Sequence, residues 1–493
     1  MVNLIQHNKD ARVLEPSSGK GVFLKNLENE GFTNISAYEI DNSIGNEYNY
    51  IKYQSFISSP LDPYDVVIGN PPYIRWKNLE PELKDELATS YLWNKYFNSL
   101  CDYHYIFILK SIEQLTEGGE LIFICTEYWM NTTHSESLRE YMVNNGYISD
   151  MYHFKEANLF EDVCASFIIF RYVKSNNKAK NISLYKYKQT NTPSYEELIS
   201  HTCFERIIIP QFESGKRWLL ATKEEQKQLY TFELKCRKES TDLFIKGSLD
   251  RIGDICDIGN GMVSGLDKAF NVSSLDETTE YEKSHIINVL KAKDLGHYVY
   301  SSESRYFFIN DSINEDEFER LCPNVYRHMI SYKEDLNKRY KYGKDTNYWE
   351  FVFPRNFKLF SRKEPRIMVP CKERISNKNY FRFVLASHDY SPLQDVTCLL
   401  KKKHCRESIE YLTAYLNDHR VFNWLRYNGI VKGAIVEFSE TPIASIPYRK
   451  INWEDPKEVE AHNIITTSLQ QYIQTKSDKY LNEINKQFDY LFV

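Results

Sequence analysis

Short apolar runs alternate with helical stripes along the first third of the chain. In ARVLEPSSGKGVFLKNLENEGF, Val13 and Leu14 close an apolar run and a Gly/Ser-rich turn follows. Val22, Phe23, Leu24 and Leu27 then recur at helical spacing, so the pattern predicts strand, glycine loop, helix. NISAYEID predicts a strand that ends in Glu39 and Asp41, and YDVVIG another that runs into a proline-rich loop. YHYIFILKSIEQL puts Tyr105, Ile108, Leu109, Ile112 and Leu115 on one helical stripe, which EGGE ends. LIFIC reads as a strand and ESLREYMVNNG as a helix ended by Gly146. ISDMYHF and ASFIIFRY read as strands with no helix between them, hence an antiparallel hairpin. Strands alternating with helical segments predict an α/β fold, a mostly parallel sheet with helices on both faces.

Beyond about residue 175 the regularity weakens. NTPSYEEL reads as a helix start. A second organised region opens near LFIKGSLDRIGDICDIGNGMVSG with glycine-punctuated short strands, and the chain from Glu458 onward is helical in character. The expected boundary lies near residue 240, giving domains 1–240 and 241–493. Length agrees, since 493 residues exceed one ordinary domain.

Composition, 42% hydrophobic and 26% charged, is that of a soluble globular protein. No apolar stretch is long enough for a membrane span, and no signal-peptide pattern opens the chain, so a cytoplasmic location is expected. The ten cysteines are scattered singly without metal-ligand spacing, which predicts reduced core cysteines and no metal. Net charge is −6, yet residues 331–406 carry 18 Lys/Arg against 8 Asp/Glu, interleaved with aromatics from Tyr332 to Phe360. A basic, aromatic-rich segment suits a phosphate backbone with stacking or groove contacts, and equally a solvated face over an aromatic core.

The loop of DVVIGNPPYIRW carries the sharpest chemistry. Prolines cannot continue a sheet ladder and push the preceding residue to an extended conformation, so Asn70-Pro71-Pro72-Tyr73 is a stiff loop at a strand end. In open α/β sheets ligands sit at that end. The Asn70 amide oxygen and the Pro71 carbonyl can both accept from one NH₂ group, and Tyr73 offers a flat face to a planar group. The loop reads as a holder for a planar exocyclic amine, such as adenine N6 or a carboxamide, presented to an electrophilic methyl donor. The glycines of LEPSSGKG allow a sharp turn and close approach to a ligand. Their spacing is neither that of a dinucleotide fingerprint nor that of a phosphate-binding loop. Glu39, 18 residues beyond Gly21, is placed as a partner for ribose hydroxyls.

VLEPSSGKGVFL, AYEID, DVVIGNPPYIRW, LTEGGELIFICTEYWM and NLFEDVCASFIIFRY occur in the order seen in gamma-class DNA N6-adenine methyltransferases. The chain resembles most the TaqI-like group of bacterial restriction–modification systems, with specific motifs over roughly residues 10–172. The resemblance implies a Rossmann-like S-adenosylmethionine-dependent catalytic domain, a C-terminal α+β target-recognition domain, and a flipped adenine as acceptor. By position it implies that Glu15, Pro16, Ser17, Gly19 and Gly21 line the methionine end of the cofactor, with Asn70 nearby, and that Glu39 holds the ribose. Asn70 and Pro71 would bind N6, Tyr73 would stack on the base, and Phe160 would lie against its other face.

Two departures stand out. Where the family has an acidic residue contacting the cofactor adenine, this chain has Gln54 or Ser55. Only 13 residues precede Leu14, too few for the family's threonine-proline segment, so either the true start lies upstream or the cofactor pocket is incomplete. In the second half Arg339, Arg355, Arg362, Arg366, Lys372 and Arg374 are the expected phosphate or base contacts on double-stranded DNA. No nuclease signature accompanies them, so a cognate endonuclease would be encoded separately. Rival readings are a glutamine N5-methyltransferase, an RNA adenine methyltransferase, and a DNA-binding relic without a working cofactor pocket.

Overall fold

Val13, Leu14 and Glu15 form β1 (Val13–Glu15), an interior strand buried at every position, with Val13 in one apolar cluster beside Leu27 and Phe32 and Leu14 in another beside Tyr38 and Val67. The structure, a computed structural model, describes residues 1–45, 47–155, 157–160, 165–237, 248–375, 378–432 and 435–493. The boundary expected near residue 240 and residues 161–164 of the hairpin motif lie outside them. The chain divides into two compact units, Met1–Gln226 and Lys227–Val493.

In the first unit β1 joins β2 (Ile35–Glu39), β3 (Ile51–Tyr53), β4 (Tyr64–Gly69), β5 (Leu115–Thr126), β6 (Gly146–His153), β7 (Phe167–Lys174), β8 (Asn181–Tyr187) and β9 (Phe204–Pro210). They form one sheet in the order β3-β2-β1-β4-β5-β7-β6-β8-β9. From β3 to β5 all neighbours are parallel; β7 runs antiparallel to both β5 and β6. The expected hairpin is therefore present. β8 and β9, which the weak periodicity beyond 175 did not disclose, extend the sheet by two strands. Helices α1 (Val22–Asn29), α2 (Pro81–Thr89), α3 (Tyr91–Tyr96), α4 (His104–Gln114), α5 (Glu136–Asn145) and α6 (Tyr195–Ser200) belong to the same unit. The α/β class expected from the pattern holds, as does the Rossmann-like arrangement that the resemblance implied.

α4 departs from the single apolar stripe read in the sequence. Every residue from His104 to Ile112 is buried, Lys110 and Ser111 included, because the helix packs on β5, α3 and α5 at once. Arg171 on β7 crosses its neighbours, pairing with Glu120 of β5 (2.6 Å) and Asp150 of β6 (3.5 Å). Close strand approach also fixes Gly146: a Cβ there would fall 2.1 Å from the Val173 carbonyl oxygen.

The second unit is α+β, with three small sheets. β10 (Cys256–Asn260), β17 (Val396–Lys401), β13 (Arg366–Pro370) and β15 (Val384–Ala386) form the largest, in that order. β12 (Ser304–Phe307), β11 (Ile286–Leu290) and β16 (Tyr390–Pro392) form the second, and β14 (Lys372–Arg374), β19 (Ile435–Glu437) and β18 (Ile430–Lys432) the third. An aromatic core of Phe307, Phe318, Trp349 and Phe351 lies among them, and helices Pro456–Thr475 and Asp478–Phe492 pack on each other. Of the nine cysteines described, all reduced, eight are buried and Cys371 is half-buried. Among the described residues no helix is long and apolar enough to cross a membrane.

Candidate active site

Strand order reverses between β1 and β4: the chain winds outward through β2 to β3 on one side and through β5 on the other. The crevice at their C-terminal ends is where doubly wound sheets take ligands. Here the glycine loop and the proline-rich loop meet. Ser17 Oγ donates to the Asn70 carbonyl (3.2 Å), and the Pro16 ring packs so closely on Gly69 that a Cβ there would lie 3.3 Å from Pro16 Cδ. The turn between β1 and α1 uses left-handed backbone at Gly19 (φ 50°) and Gly21 (φ 76°). Ser18 N–H donates to the Tyr38 carbonyl, and the Glu39 carboxylate accepts from Gly19 N (2.7 Å) and Asp41 N (2.9 Å). Glu39 thus ties the glycine loop to the end of β2. Glu15, Pro16, Ser17, Gly19, Gly21, Glu39 and Asn70 all converge on this crevice.

Glu15 is 1% exposed, and its Oε2 has no partner. Burial, with the nearby Glu39 charge adding to it, pushes its pKa up to about 9, so the carboxyl is protonated at neutral pH. An orphaned buried carboxyl at a strand end suits a cationic ligand group.

Lys110 escaped the sequence reading, although a lysine inside the apolar run IFILKSI was a signal for it. Its ammonium donates to the carbonyls of Phe56, Ile57 and Ser59 (2.7, 2.8 and 2.5 Å) and lies over the Phe56 ring. It fixes the segment following β3, next to Gln54 and Ser55.

Tyr73 requires a correction. Its expected exposed face is instead half-buried, with the ring edge-on to His104 (5.7 Å) and tilted against Phe167 (5.9 Å). Its hydroxyl bonds the Ile124 carbonyl (2.6 Å) and the Asn70 side-chain oxygen, and burial raises its pKa. In the free chain the phenol therefore engages the very oxygen assigned to the amine. Phe160 packs edge-on against the same Phe167 (4.9 Å). Three neighbours were missed: buried His104, whose ring nitrogens have no partner, and the paired Glu127 and His153 at the ends of β5 and β6. Burial drives His104 down to about 3 and keeps it neutral.

The basic residues singled out in the second unit fare differently. Arg339 and Arg366 are buried and hydrogen-bonded to carbonyls: Arg339 to Leu336, Ser264, Glu350, Asn347 and Tyr348, and Arg366 to Phe360, Tyr390 and Arg362. Arg362 is held by Asp257 and Glu364, and Arg355 donates to the Gly261 carbonyl (2.6 Å). Arg339 and Arg366 are thus structural, contrary to expectation, because burial forces each guanidinium to spend its donors on the fold. Lys372 and Arg374 are exposed on β14.

The family described as Eco57I restriction-modification methylase matches residues 14–160. The chain is 45% identical over 490 residues to the Type II methyltransferase M.HindII of Haemophilus influenzae, covering 98% of this chain and 94% of that one. It is 43% identical over 486 residues to M.HincII of the same species, covering 98% and 93%. The type IIL restriction–modification enzyme MmeI, solved in complex with DNA, shares the fold at a TM-score of 0.61 and 10% identity, over 98% of this chain and 70% of that one.

Proposed function

The chain belongs to the type II DNA methyltransferases of restriction–modification systems, and from that premise we propose that it methylates adenine N6 in double-stranded DNA with S-adenosylmethionine as donor. The observation that carries this reading is the junction of the two loops, Ser17 Oγ on the Asn70 carbonyl and Pro16 on Gly69, which sets a cofactor-type turn against an amine-type loop.

S-adenosylmethionine, when bound, supplies an electrophilic methyl on a sulfonium. The rest falls to the chain. Glu15, ionised by a cation beside it, accepts from the α-ammonium, and Glu39 keeps acceptor capacity for the ribose hydroxyls. Asn70 Oδ1 and the Pro71 carbonyl accept from the N6 amino group, which holds its lone pair toward the methyl without a strong general base. Tyr73 must release Asn70 for this; its ring and Phe160 then flank the extruded base. The exposed cations of the second unit bind the duplex. A separately encoded endonuclease cutting the same sequence is the corresponding partner.

The test is methylation of a random-sequence duplex with the modified positions mapped. N6-methyladenine confined to one short motif is the expected result; methylcytosine, or no methylation with donor bound, overturns the reading. Asn70→Ala should lower turnover at least about a hundredfold, as loss of a donor–acceptor contact at the reacting atom does elsewhere. A folded Asn70→Ala chain with full activity would remove the loop from the mechanism.

A further inference from the structure

Within the second unit, the loop between residues 338 and 346 is built unlike the rest of the basic segment. Arg339 grips carbonyls on both of its stems, Leu336 (2.7 Å) before it and Asn347, Tyr348 and Glu350 (3.3, 3.1 and 3.1 Å) after it. A fifth bond reaches the Ser264 carbonyl (2.6 Å), and the side chain packs so tightly on Gly265 that a Cβ there would lie 2.8 Å from Arg339 Cδ. The loop is therefore riveted at its base.

At its tip, Lys344 N–H donates to the Lys341 carbonyl (3.0 Å), with Tyr342 and Gly343 both in left-handed backbone (φ 53° and 72°). A bulky side chain at positive φ is strained and persists only where its surroundings over-determine it. The result is an aromatic ladder leading outward. Tyr342 packs on Phe353 at 5.3 Å and Tyr340 on Tyr342 at 4.7 Å, while Tyr340 is 77% exposed. Cations flank it: Lys344 Nζ lies 4.7 Å over the Phe353 ring, and Lys341 is tied to the Thr346 carbonyl (2.8 Å). Nothing in folding rewards a rigid loop for holding two tyrosines in water.

We propose that loop 340–344 is a DNA-contacting element, with Tyr340 entering a groove of the duplex against base edges and Lys344 against the adjoining phosphates. Charge favours this partner: the loop itself, residues 340–344, carries Lys341 and Lys344 and no acidic residue. Presentation favours it too, because a pre-organised side chain loses little entropy on binding. The proposal rests on the DNA-methyltransferase reading and assigns it a specific contact. Arg339, expected to touch DNA, acts instead as the anchor of the loop that does.

Fluorescence anisotropy on the full chain with a duplex carrying its methylated motif tests this. Tyr340→Ala should weaken binding about tenfold, the usual scale for losing one base contact, with thermal midpoint and S-adenosylmethionine affinity unchanged. Lys344→Ala should reduce the slope of log affinity against log salt by about 1. Tyr195→Ala, at a comparably exposed tyrosine (73%) of the first unit, is the control and should change nothing. If Tyr340→Ala and Lys344→Ala bind as the unmodified chain does, the proposal is wrong while the methyltransferase reading stands. If the unmodified chain binds no duplex, that reading fails and the proposal falls with it.

Discussion

At Glu15 the carboxyl stays protonated at neutral pH because burial, then the Glu39 charge, lift its pKa from 4.5 to about 9. The folded state thus holds a proton that the unfolded chain releases. The stability this contributes is complete below pH 4.5 and is lost as pH rises toward 9. Glu15→Gln should flatten that decline, measured as thermal midpoint against pH. A bound cation would reverse the shift, so donor binding at pH 7 should release about one proton from the unmodified chain and none from Glu15→Gln. Calorimetry in buffers of different ionisation enthalpy reads this directly. The turn at Gly19 and Gly21 and the stiff loop at Asn70 were legible in the sequence because turn chemistry and strand ends are local, whereas Glu15 was named only through the family resemblance. Tyr73 was not, since its orientation is decided by the Ile124 carbonyl 51 positions away and by His104 and Phe167. Arg339 and Arg366 were misread for the same reason: basic residues in a basic segment look solvent-facing until the distant carbonyls that receive them are known.

At the scale of elements, β5, β7 and β6 depend on one cross-strand cation. Arg171 is the partner of Glu120, whose side chain is 3% exposed. Arg171→Met leaves that carboxylate buried without its counter-ion, held only by the Gln6 N–H (3.1 Å), and should destabilise the first unit by roughly 3–5 kcal/mol in denaturant unfolding. Arg171→Met combined with Glu120→Leu should recover most of the loss, because the uncompensated charge is gone. The strands next to the site announced themselves by continuous apolar runs bounded by turn residues. β8 and β9 did not, since NISLYKY and FERIIIP mix exposed or half-covered positions with buried ones. In the second unit strands of three to six residues are too short to impose a period, and long-range pairing such as β10 with β17 does the work.

Across the whole molecule, charge and core are distributed unevenly. A chain of net charge −6 concentrates its excess of cations in residues 331–406. Several of those cations are consumed internally, so surface potential cannot be counted from sequence. Each unit keeps its own apolar cluster, one around β1, β4 and β5 and another around Trp349 and Met368. Both clusters contain reduced thiols: Cys125 in the first, Cys398 in the second, each pushed up to about 12 by burial. Only the thiolate alkylates at a useful rate, so neither sulfur reacts until the strands around it part. In a pulse of iodoacetamide read by peptide mass spectrometry, S-adenosylmethionine should slow the labelling of Cys125 more than that of Cys398, since it stabilises the unit that binds it. The buried sulfurs are thus paired clocks, one per unit, timing how often each half of the protein breathes.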